Sequence, residues 1–440
     1  MRHHLQSDDR ATATSAGALI APVSRPDPLS AVTHPVTTGR ARHNQPRIAV
    51  LHQGCIPIYR KAFYERLAKI PGREYVVLHG EPEPNTGIVA AEPPFSFPNI
   101  HVHNIFFKLF GRSLALQAAL MPVLNGHFQA LVLGHEIKFV SSTVLLFLFR
   151  LMGRPVVLWG HGRTNDYFKH DRSKLGRWLG HLVEWFKRRL IMTATGYMAY
   201  TERGADYVAE VGLPRDQITV LWNTIDIDEA IAASNAARAL DRGDLRESYG
   251  LPRDSIVFMF IGRIYPPKRV DTLIETAKRL RSEANLDVEV VIVGSGPDEA
   301  ELKTRYAGQT WCKFLGRVLE EPELGRIFRC ADAIVLPGKV GLVVNHSFAH
   351  GLPVITREAE IQTPEVEYIK HGYNGMMLQG DEGLYQGLRE FATSPELRDR
   401  LATGVLETRS RLELDHMVMA FDEAVTKALG TGQTSPARAA

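Results

Sequence analysis

Short apolar runs alternate with longer amphipathic stretches along most of this chain. Runs rich in β-branched residues predict buried strands, and they lie at 47–52, 130–133, 155–158, 196–200, 218–221, 256–261, 288–293, 333–336 and 353–356. Helical patterns such as 60–70 and 270–284 separate them. Alternating strands and helices are typical of parallel sheets covered by helices on both faces. We therefore expect an α/β protein with two Rossmann-like, doubly wound parallel-sheet domains that face each other across a cleft.

The same pattern sets the expected domain limits. Residues 1–44 and 430–440 are rich in small polar residues, alanine and proline, so we expect both to be disordered tails. Between them we expect one domain at 45–225, a second at 226–411, and a helix at 412–429 that could pack back on the first domain. The Ala-rich, charged stretch 229–249 would connect the two sheets.

The composition is that of an ordinary globular protein, with 45% hydrophobic and 23% charged residues among 440. The net charge of +3 hides an asymmetry. Residues 45–225 hold 21 Lys and Arg against 13 Asp and Glu, a net of +8, and residues 226–429 hold 25 against 33, a net of −8. A basic half suits an acidic partner, such as a membrane surface or a phosphate-bearing substrate, but it also fits an ordinary soluble surface.

The cysteines and apolar segments bear on the compartment. Three widely spaced cysteines, Cys55, Cys312 and Cys330, predict neither a disulfide framework nor a zinc site, which fits a reducing compartment. The first residues show no secretory signal. The most apolar stretch, 140–152, is shorter than the ~20 residues that span a bilayer. We expect a cytoplasmic protein that does not cross a membrane but could be peripheral on its inner face.

The segment 258–269 (FMFIGRIYPPKR) carries the clearest chemistry. A buried strand ends at Ile261, and Gly262 allows a sharp turn. Arg263 follows at the carboxyl end of the strand, where an α/β sheet places its ligands. Lys268 comes five residues later, as the next helix begins. Two cations beside a helix N-terminus form an anion site. The alternative is that both are solvated surface charges, as most Lys and Arg side chains are.

This segment resembles the G-R-x-x-x-x-K element of retaining glycosyltransferases with the GT-B fold, especially family 4 (group 1) in its bacterial polysaccharide-synthesis form. Other elements of that family follow in the same order, namely VLWNTID at 220–226, VVIVGSGP at 290–297, FLGRV at 314–318, CADAIVLP at 330–337, HGLPVI at 350–355 and the stretch 363–377. The resemblance covers most of 46–425. It is strong over 255–378 and weak before 195.

The resemblance implies a hexosyltransferase-type enzyme that moves a sugar from a nucleotide-diphosphate sugar to a saccharide or lipid-linked saccharide, with retention of configuration, in cell-surface polysaccharide synthesis. The second domain would bind the donor and the first domain the acceptor. Arg263 and Lys268 would hold the donor pyrophosphate. Physical reasoning agrees, because preorganised cations stabilise the charge that develops on a leaving diphosphate. Neither a metal nor another cofactor is then expected, since the nucleotide-sugar is a substrate.

The resemblance also implies donor contacts at Gly262, Gly296, Arg317, Val318, Gly338, Gly341, Leu342 and His346. The family pattern before G-L-P-V-I is two glutamates separated by seven residues. In this chain the first position falls on Gly338 and the second, which would bind the ribose, falls on His346. An imidazole can hydrogen-bond one hydroxyl but cannot accept from two as a carboxylate can. His346 could instead be a structural histidine near a helix start.

Candidate residues in the first half lie after its strands. His161 follows the strand 155–158, where the family often has a histidine that contacts the transferred sugar, so it is a candidate catalytic residue; a hydrogen-bonded loop histidine is the alternative. Asp166 is a weaker candidate. Tyr59 and Arg60 resemble the Y-R-x-x-F/Y form of some bacterial polysaccharide enzymes and could meet an acceptor phosphate. A capping turn explains them equally well.

Two further patterns have weaker interpretations. Asp226 and Asp228 spell D-x-D, but a hard cation needs several convergent oxygens, so we expect no metal there. Residues 174–192 form a basic, aromatic amphipathic stretch that could lie on an anionic membrane or pack its apolar stripe on the sheet. The rival functions are a nucleotide-sugar epimerase or phosphorylase of the same fold and a non-catalytic nucleotide-sugar-binding module. Nucleic-acid binding is not expected, because no recognition motif accompanies the basic half.

Overall fold

The computed structural model describes residues 45–433, apart from 85, 87, 110–111, 163–173 and 359–362. Asp166 and the predicted N-terminal tail therefore lie outside the described residues. Within them, strands and helices alternate as the hydrophobic pattern predicts.

The strands form two parallel sheets and one antiparallel hairpin. They are β1 (Arg47–Leu51), β2 (Glu74–His79), β3 (Asn99–His101), β4 (Asn104–Leu109), β5 (Arg112–Gln117), β6 (Ala130–Gly134), β7 (Val156–Gly160), β8 (Gly196–Ala199), β9 (Ile218–Val220), β10 (Ile256–Ile261), β11 (Val288–Val293), β12 (Cys312–Gly316), β13 (Ala333–Leu336), β14 (Val354–Arg357) and β15 (Gly375–Leu378). The first sheet has the order β3-β2-β1-β6-β7-β8-β9 and the second β12-β11-β10-β13-β14-β15. The order of each sheet reverses beside its first strand, between β1 and β6 and between β10 and β13. Parallel sheets hold ligands at the carboxyl ends of strands at such switch points.

Helices cover the sheets. They are α1 (Lys61–Leu67), α2 (Leu120–Asn125), α3 (Val140–Leu151), α4 (Lys174–Thr193), α5 (Glu202–Val211), α6 (Asp228–Arg238), α7 (Arg242–Ser248), α8 (Val270–Glu283), α9 (Glu299–Arg305), α10 (Glu321–Cys330), α11 (Val343–Ala349), α12 (Gly380–Thr393), α13 (Pro395–Arg409) and α14 (Leu414–Gln433). Short 3-10 turns lie at Ile58–Arg60, Arg215–Gln217, Pro266–Lys268, Pro364–Tyr368 and Ser410–Leu412. In the part of the chain that the structure describes, no helix is both long and apolar enough to cross a membrane.

The last helix completes the core of the first domain. The ring of Phe421 in α14 contacts Phe63 and Trp159, with centroid distances of 5.3 and 5.4 Å. The Tyr75 hydroxyl donates to the Asp422 carboxylate at 2.7 Å. The chain thus returns from the second domain to the first, and α14 continues to Gln433, beyond the predicted start of the C-terminal tail at 430.

The second domain begins with helices that the sequence pattern joined into one connector. Stretch 229–249 forms most of two helices, α6 and α7, because Asp241 starts a new helix by accepting the Asp244 backbone N–H at 2.8 Å. Ile227, Ala230 and Leu245 belong to the core of this domain. Both helices therefore belong to the second domain, where they pack mainly against α10, and α6 also contacts α11.

Six strands lie outside the predicted set, namely β2, β3, β4, β5, β12 and β15. Three of them, β3, β12 and β15, are edge strands. No residue of β3 or β12 is fully buried. A half-covered strand carries a weaker apolar run than a central one. The predicted helix at 60–70 is also shorter, because α1 starts after the 3-10 segment Ile58–Arg60 and ends at Leu67, where Lys69 and Ile70 donate to carbonyls three residues back.

Candidate active site

The second sheet places the predicted anion site at its switch point. Arg263 and Lys268 follow β10, and Gly338 and Gly341 follow β13, the strand that pairs with β10 on the other side from β11. The carboxyl ends of β10 and β13 therefore bring both loops to one edge of the sheet. Arg263 and Gly341 are 78 positions apart along the chain and share this crevice only because of the strand order.

Glycines allow the loops after β10 and β11 to touch. A Cβ at Gly294 would overlap the carbonyl oxygen of Gly262, and a Cβ at Gly296 would overlap that of Ile264. Gly262 and Gly294 also have φ angles of 136° and 138°, which side chains rarely adopt. Gly262 and Gly296, both predicted donor residues, thus have a packing role that fixes where Arg263 emerges.

The Arg263 guanidinium is exposed and faces the first domain. Its Nη1 donates to the Thr86 carbonyl oxygen at 3.3 Å, and its Cζ lies 5.8 Å from the centre of the Tyr265 ring. Most of its five N–H donors have no protein partner among these contacts. The side chain that follows β10 therefore lies between the two domains with donors left for an anion.

The Lys268 ammonium is held against the loop after β13. Its Nζ donates to the carbonyl oxygens of Lys339 at 2.6 Å and Val340 at 2.9 Å. Burial lowers the pKa of this ammonium to about 8, although the carboxylate of Glu365 opposes the shift. An ammonium has three donors, so one remains after these two bonds. Because the ammonium is partly removed from water, its attraction to an anion that approaches it is stronger than at an exposed site.

Gly338, at the position of the missing glutamate, is fixed by packing. A Cβ there would overlap the Pro267 carbonyl oxygen and would crowd the backbone of Lys268. The loop after β13 thus lies directly on the turn that carries Lys268, which leaves no space for a glutamate. Gly341, with φ of 77°, donates its N–H to the Thr363 hydroxyl at 2.8 Å, and Leu342 begins α11.

His346 does not have a free imidazole, contrary to the simplest ribose-binding expectation. Its Nε2 lies 2.9 Å from Oε1 and 3.1 Å from Oε2 of Glu321, at the start of α10. Only Nδ1 of His346 is then left to meet a hydroxyl, because an imidazole has two ring nitrogens. Sequence reasoning missed Glu321, and its only signal was its place just after the FLGRV stretch.

The predicted nucleobase loop follows β12. Arg317 is exposed, whereas Val318 is half-buried and packs against the core of the second domain. Leu319, next along the chain, is exposed. This part of the loop therefore offers backbone groups and an exposed guanidinium beside the start of α10.

His161 lies at the carboxyl end of β7, as predicted. Its ring meets the Tyr200 ring edge-on, with a centroid distance of 4.6 Å. The ring keeps an exposed face, yet the surrounding chain lowers its pKa by desolvation, against the charges of Glu365 and Glu136. A neutral imidazole at this edge can accept or donate a hydrogen bond at neutral pH.

Arg60 is not available to an acceptor, which corrects the prediction made for it. The residue is 4% exposed, and its guanidinium donates to the Asn223 side-chain oxygen at 2.6 Å and to the Thr224 carbonyl oxygen at 3.2 Å. It lies over the Tyr59 ring at 5.5 Å. Arg60 thus holds the chain where it passes between the domains, while the ring of Tyr59 stays exposed.

Asn223 ties both domains together and was not predicted as a site residue. Its Nδ2 donates to the buried Glu365 carboxylate at 2.8 Å, and its carbonyl oxygen accepts from the Tyr368 hydroxyl at 2.9 Å. In the sequence, this residue could have been found from its place in the VLWNTID element at 220–226. Since the charge of Glu365 acts on both Lys268 and His161, this junction borders the crevice.

The D-x-D pair is engaged in ion pairs. Arg66 Nη2 lies 3.0 Å from the Asp226 carboxylate and 2.7 Å from that of Asp228, and its Nη1 lies 3.0 Å from Asp415. These carboxylates join α1, α6 and α14. The structure thus gives Asp226 and Asp228 a role in holding the two domains together.

Two parallel-sheet domains with their switch points turned toward a shared crevice define the class of protein, the GT-B fold. The structure of HepE from Anabaena in complex with UDP has the same fold, with a TM-score of 0.60 at 14% identity over 87% of this chain and 100% of that one. Residues 255–393 match the family model described as glycosyl transferases group 1. That match lies within the second domain.

Sequence relatives agree with that family. A D-inositol 3-phosphate glycosyltransferase from Stackebrandtia nassauensis is 28% identical over 216 residues, which is 45% of this chain and 48% of the relative. A UDP-Gal:alpha-D-GlcNAc-diphosphoundecaprenol alpha-1,3-galactosyltransferase from Escherichia coli is 30% identical over 219 residues, 48% of this chain and 50% of the relative. The chain spans about half the length of the curated relatives it matches.

Proposed function

We propose that the protein is a glycosyltransferase that uses a nucleotide-diphosphate sugar. The observation that carries the proposal is the pairing of Arg263 and Lys268 at the switch point of the second sheet, inside the stretch that matches group 1 glycosyltransferases. A leaving nucleoside diphosphate gains negative charge as the glycosidic bond breaks. Cations fixed in advance stabilise that charge more in the transition state than in the ground state. The structure of HepE, which has the same fold, is in complex with UDP, and this supports a nucleotide donor for this chain.

In this proposal the remaining donor contacts come from the loops around the two cations. Gly341 and Leu342 lie where α11 begins, and Arg317 and Val318 lie in the loop after β12. The transferred sugar would extend toward His161, across the crevice on the first domain. The neutral imidazole of His161 would hydrogen-bond a sugar hydroxyl.

We propose that the sugar is transferred with retention of configuration. Retention without a protein nucleophile requires the acceptor to attack from the side that the diphosphate leaves. Glu365, the carboxylate whose charge reaches both Lys268 and His161, is buried and accepts a hydrogen bond from Asn223 at 2.8 Å. Its burial and the bond from Asn223 support a positioning role for Glu365 and not the role of a nucleophile. The route that fits is therefore front-face displacement, in which the acceptor attacks from the side that the diphosphate leaves.

The proposed acceptor is a saccharide or lipid-linked saccharide of cell-surface polysaccharide synthesis. The printed name of the Escherichia coli relative gives that enzyme a diphosphoundecaprenol-linked acceptor. The first domain of this chain also exposes apolar side chains on neighbouring elements, namely Ile105 and Leu109 of β4, Phe147 and Leu151 of α3, and Trp178, Leu182 and Trp185 of α4. Exposed Arg188 and Arg189 lie on α4 as well. A basic helix with exposed tryptophans beside a larger apolar surface is suited to an anionic membrane.

The activity is tested by replacing Arg263 with alanine. The variant should lose about 100- to 1000-fold in turnover, the usual cost of removing one preorganised group that stabilises developing charge. Lys278→Ala is the matched control, because Lys278 is an exposed cation on α8 of the same domain and its loss changes the net charge equally. Nucleoside diphosphates and their sugars would be screened by thermal shift, and product formation from the best donor would be followed by mass spectrometry. Equal turnover in Arg263→Ala and Lys278→Ala would contradict the proposal.

Membrane contact has its own test. A Trp178→Ser, Trp185→Ser double variant should sediment less with vesicles that contain anionic phospholipid, because two exposed aromatic anchors are removed. Leu319→Ser on the second domain, also exposed, is the control. Unchanged sedimentation of the double variant would remove the membrane from the proposal and leave the donor chemistry untouched.

A further inference from the structure

A carboxylate and two imidazoles converge between α10 and α11. Glu321 starts α10, while His346 and His350 are four residues apart at α11, which places them on one face of a helix. His346 Nε2 lies 2.9 Å from Glu321 Oε1, and His350 Nε2 lies 3.8 Å from Glu321 Oε2. One ligand atom from each of the three residues lies within 4.8 Å of the others.

His350 lacks the hydrogen bonds that a buried imidazole needs. Its side chain is 1% exposed and its ring stacks on Phe328, with centroids 4.0 Å apart and planes inclined by 14°. Neither ring nitrogen has a hydrogen-bond partner, and 3.8 Å is too long for a bond to Glu321. Since stacking fixes the ring and burial excludes bulk water, Nε2 is left facing the carboxylate without a hydrogen bond. Such unpaired buried groups are rare and point to a ligand.

The charges suit a cation. Burial alone would raise the pKa of the Glu321 carboxyl, but the hydrogen bond to His346 and the electrostatic effect of His350 nearby lower it to about 2. Desolvation lowers the pKa of His350, so its imidazole is neutral at pH 7. A carboxylate and a neutral imidazole are ligand states that a divalent transition metal requires.

The distances fit one ion. Two ligand atoms that each lie about 2.1 Å from a tetrahedral zinc ion are about 3.4 Å apart. The separations of 2.9 and 3.8 Å between the carboxylate and the two imidazoles bracket that value. Paired histidines four residues apart with an acidic residue from another element also form known zinc sites.

We propose that Glu321, His346 and His350 bind one divalent transition-metal ion of the zinc class. The ion would bind both Nε2 atoms and one or both carboxylate oxygens, and a proton carried by either Nε2 would leave to solvent or move to Nδ1 of the same ring. It would join the start of α10, which follows the predicted nucleobase loop, to the end of α11, the helix that Leu342 caps. This inference revises the sequence-based expectation of a chain without metal.

The test measures metal binding directly, so it does not depend on sugar transfer. Chelator-treated full-length protein is titrated with Zn²⁺ by calorimetry, and Co²⁺ is used as a spectroscopic probe for an absorption band of four-coordinate geometry. Glu321→Gln keeps the shape and a hydrogen-bond acceptor for His346 but removes the charge, and His350→Ala removes a ligand. His103→Ala is the control, because Glu81, His101 and His103 form the other group of this kind among the described residues, and its histidines are exposed.

We expect wild type and His103→Ala to bind one ion tightly at the buried group. Glu321→Gln and His350→Ala should each weaken that binding by at least about 100-fold, since loss of an outer-shell partner alone costs roughly 10- to 100-fold. The inference is overturned if wild type takes up no stoichiometric ion, if both variants keep wild-type affinity, or if His103→Ala abolishes binding. Should His350→Ala fail to fold, Glu321→Gln decides the question.

Discussion

The protonation of Lys268 should control nucleoside diphosphate binding near neutral pH. Burial lowers the pKa of its ammonium in the free protein to about 8, below the ordinary value of 10.5. A diphosphate placed beside it favours the charged form and raises the pKa in the complex. Binding above pH 8 must therefore take up a proton, and affinity must fall as the pH rises.

The size of the effect follows from that pKa. With a pKa of about 8, about nine-tenths of the ammonium is protonated at pH 7 and about one-tenth at pH 9. The dissociation constant should therefore rise roughly tenfold between these pH values, or ~1.4 kcal/mol. For stability the sign is opposite: between about pH 8 and 10.5 the unfolded chain holds a proton that the folded protein lacks, so this group makes the folded state more stable as the pH rises.

The assay is calorimetric titration with the best nucleoside diphosphate at pH 7, 8 and 9, in buffers of different ionisation enthalpy so that proton uptake is counted. Lys268→Arg is the first control, because a guanidinium keeps its proton throughout this range. Lys268→Met is the second, because any pH dependence that it keeps belongs to the ligand or to other groups.

The reasoning is refuted if wild type binds equally well at pH 7 and pH 9, or if Lys268→Met shows the same tenfold change. A flat profile in Lys268→Arg together with a sloping one in wild type assigns the titration to this residue. Proton uptake on binding at pH 9 should approach one per site in wild type and vanish in Lys268→Met.

Two further predictions concern packing. Gly338→Glu, which installs the residue common in the family, should destabilise the protein by about 1–3 kcal/mol through overpacking against Pro267, and should weaken diphosphate binding because the Lys268 turn must move; urea unfolding and titration measure both, and a stable, tight-binding variant would contradict this account. Phe421→Ala should cost about 3–5 kcal/mol of unfolding free energy, since the ring is fully buried against the first domain. The exposed Met419→Ala on the same helix should change it by less than about 0.5 kcal/mol, and equal effects would show that α14 does not complete that core.

The central strands could be predicted from the sequence because burial on both faces demands a continuous apolar run. β10 and β11 are of this kind, with IVFMFI and VEVVIV. β2 carries a comparable apolar run, YVVL, although it is not among the predicted strands. β12 could not be predicted in the same way, because all five of its residues are only partly buried at the sheet edge.

The positions of the two candidate cations could also be predicted, since the end of a strand fixes where the next residue emerges. The contacts of the Arg60 side chain could not be predicted. An arginine at the start of a helix is read as available to a ligand, but here Asn223 and Met417, far along the chain, lie against its guanidinium. His346 is a similar case, because Glu321 is 25 residues away and no local pattern pairs them. Partners brought together by tertiary packing decide whether a polar side chain is free.

The departure from the family pattern at Gly338 has a physical origin. Gly338 is required because the loop after β13 lies on the Lys268 turn, and that contact supplies the Lys339 and Val340 carbonyls that hold the ammonium. Placing a glutamate at 338 would separate the two loops and release the lysine. The chain therefore keeps a cation in the crevice by backbone hydrogen bonds, and Glu365, the carboxylate whose charge reaches this cation, comes from another element and is bound by Asn223. On this arrangement the diphosphate site depends on close contact of the β10 and β13 loops, and loss of that contact should weaken nucleotide binding more than loss of any single exposed donor group.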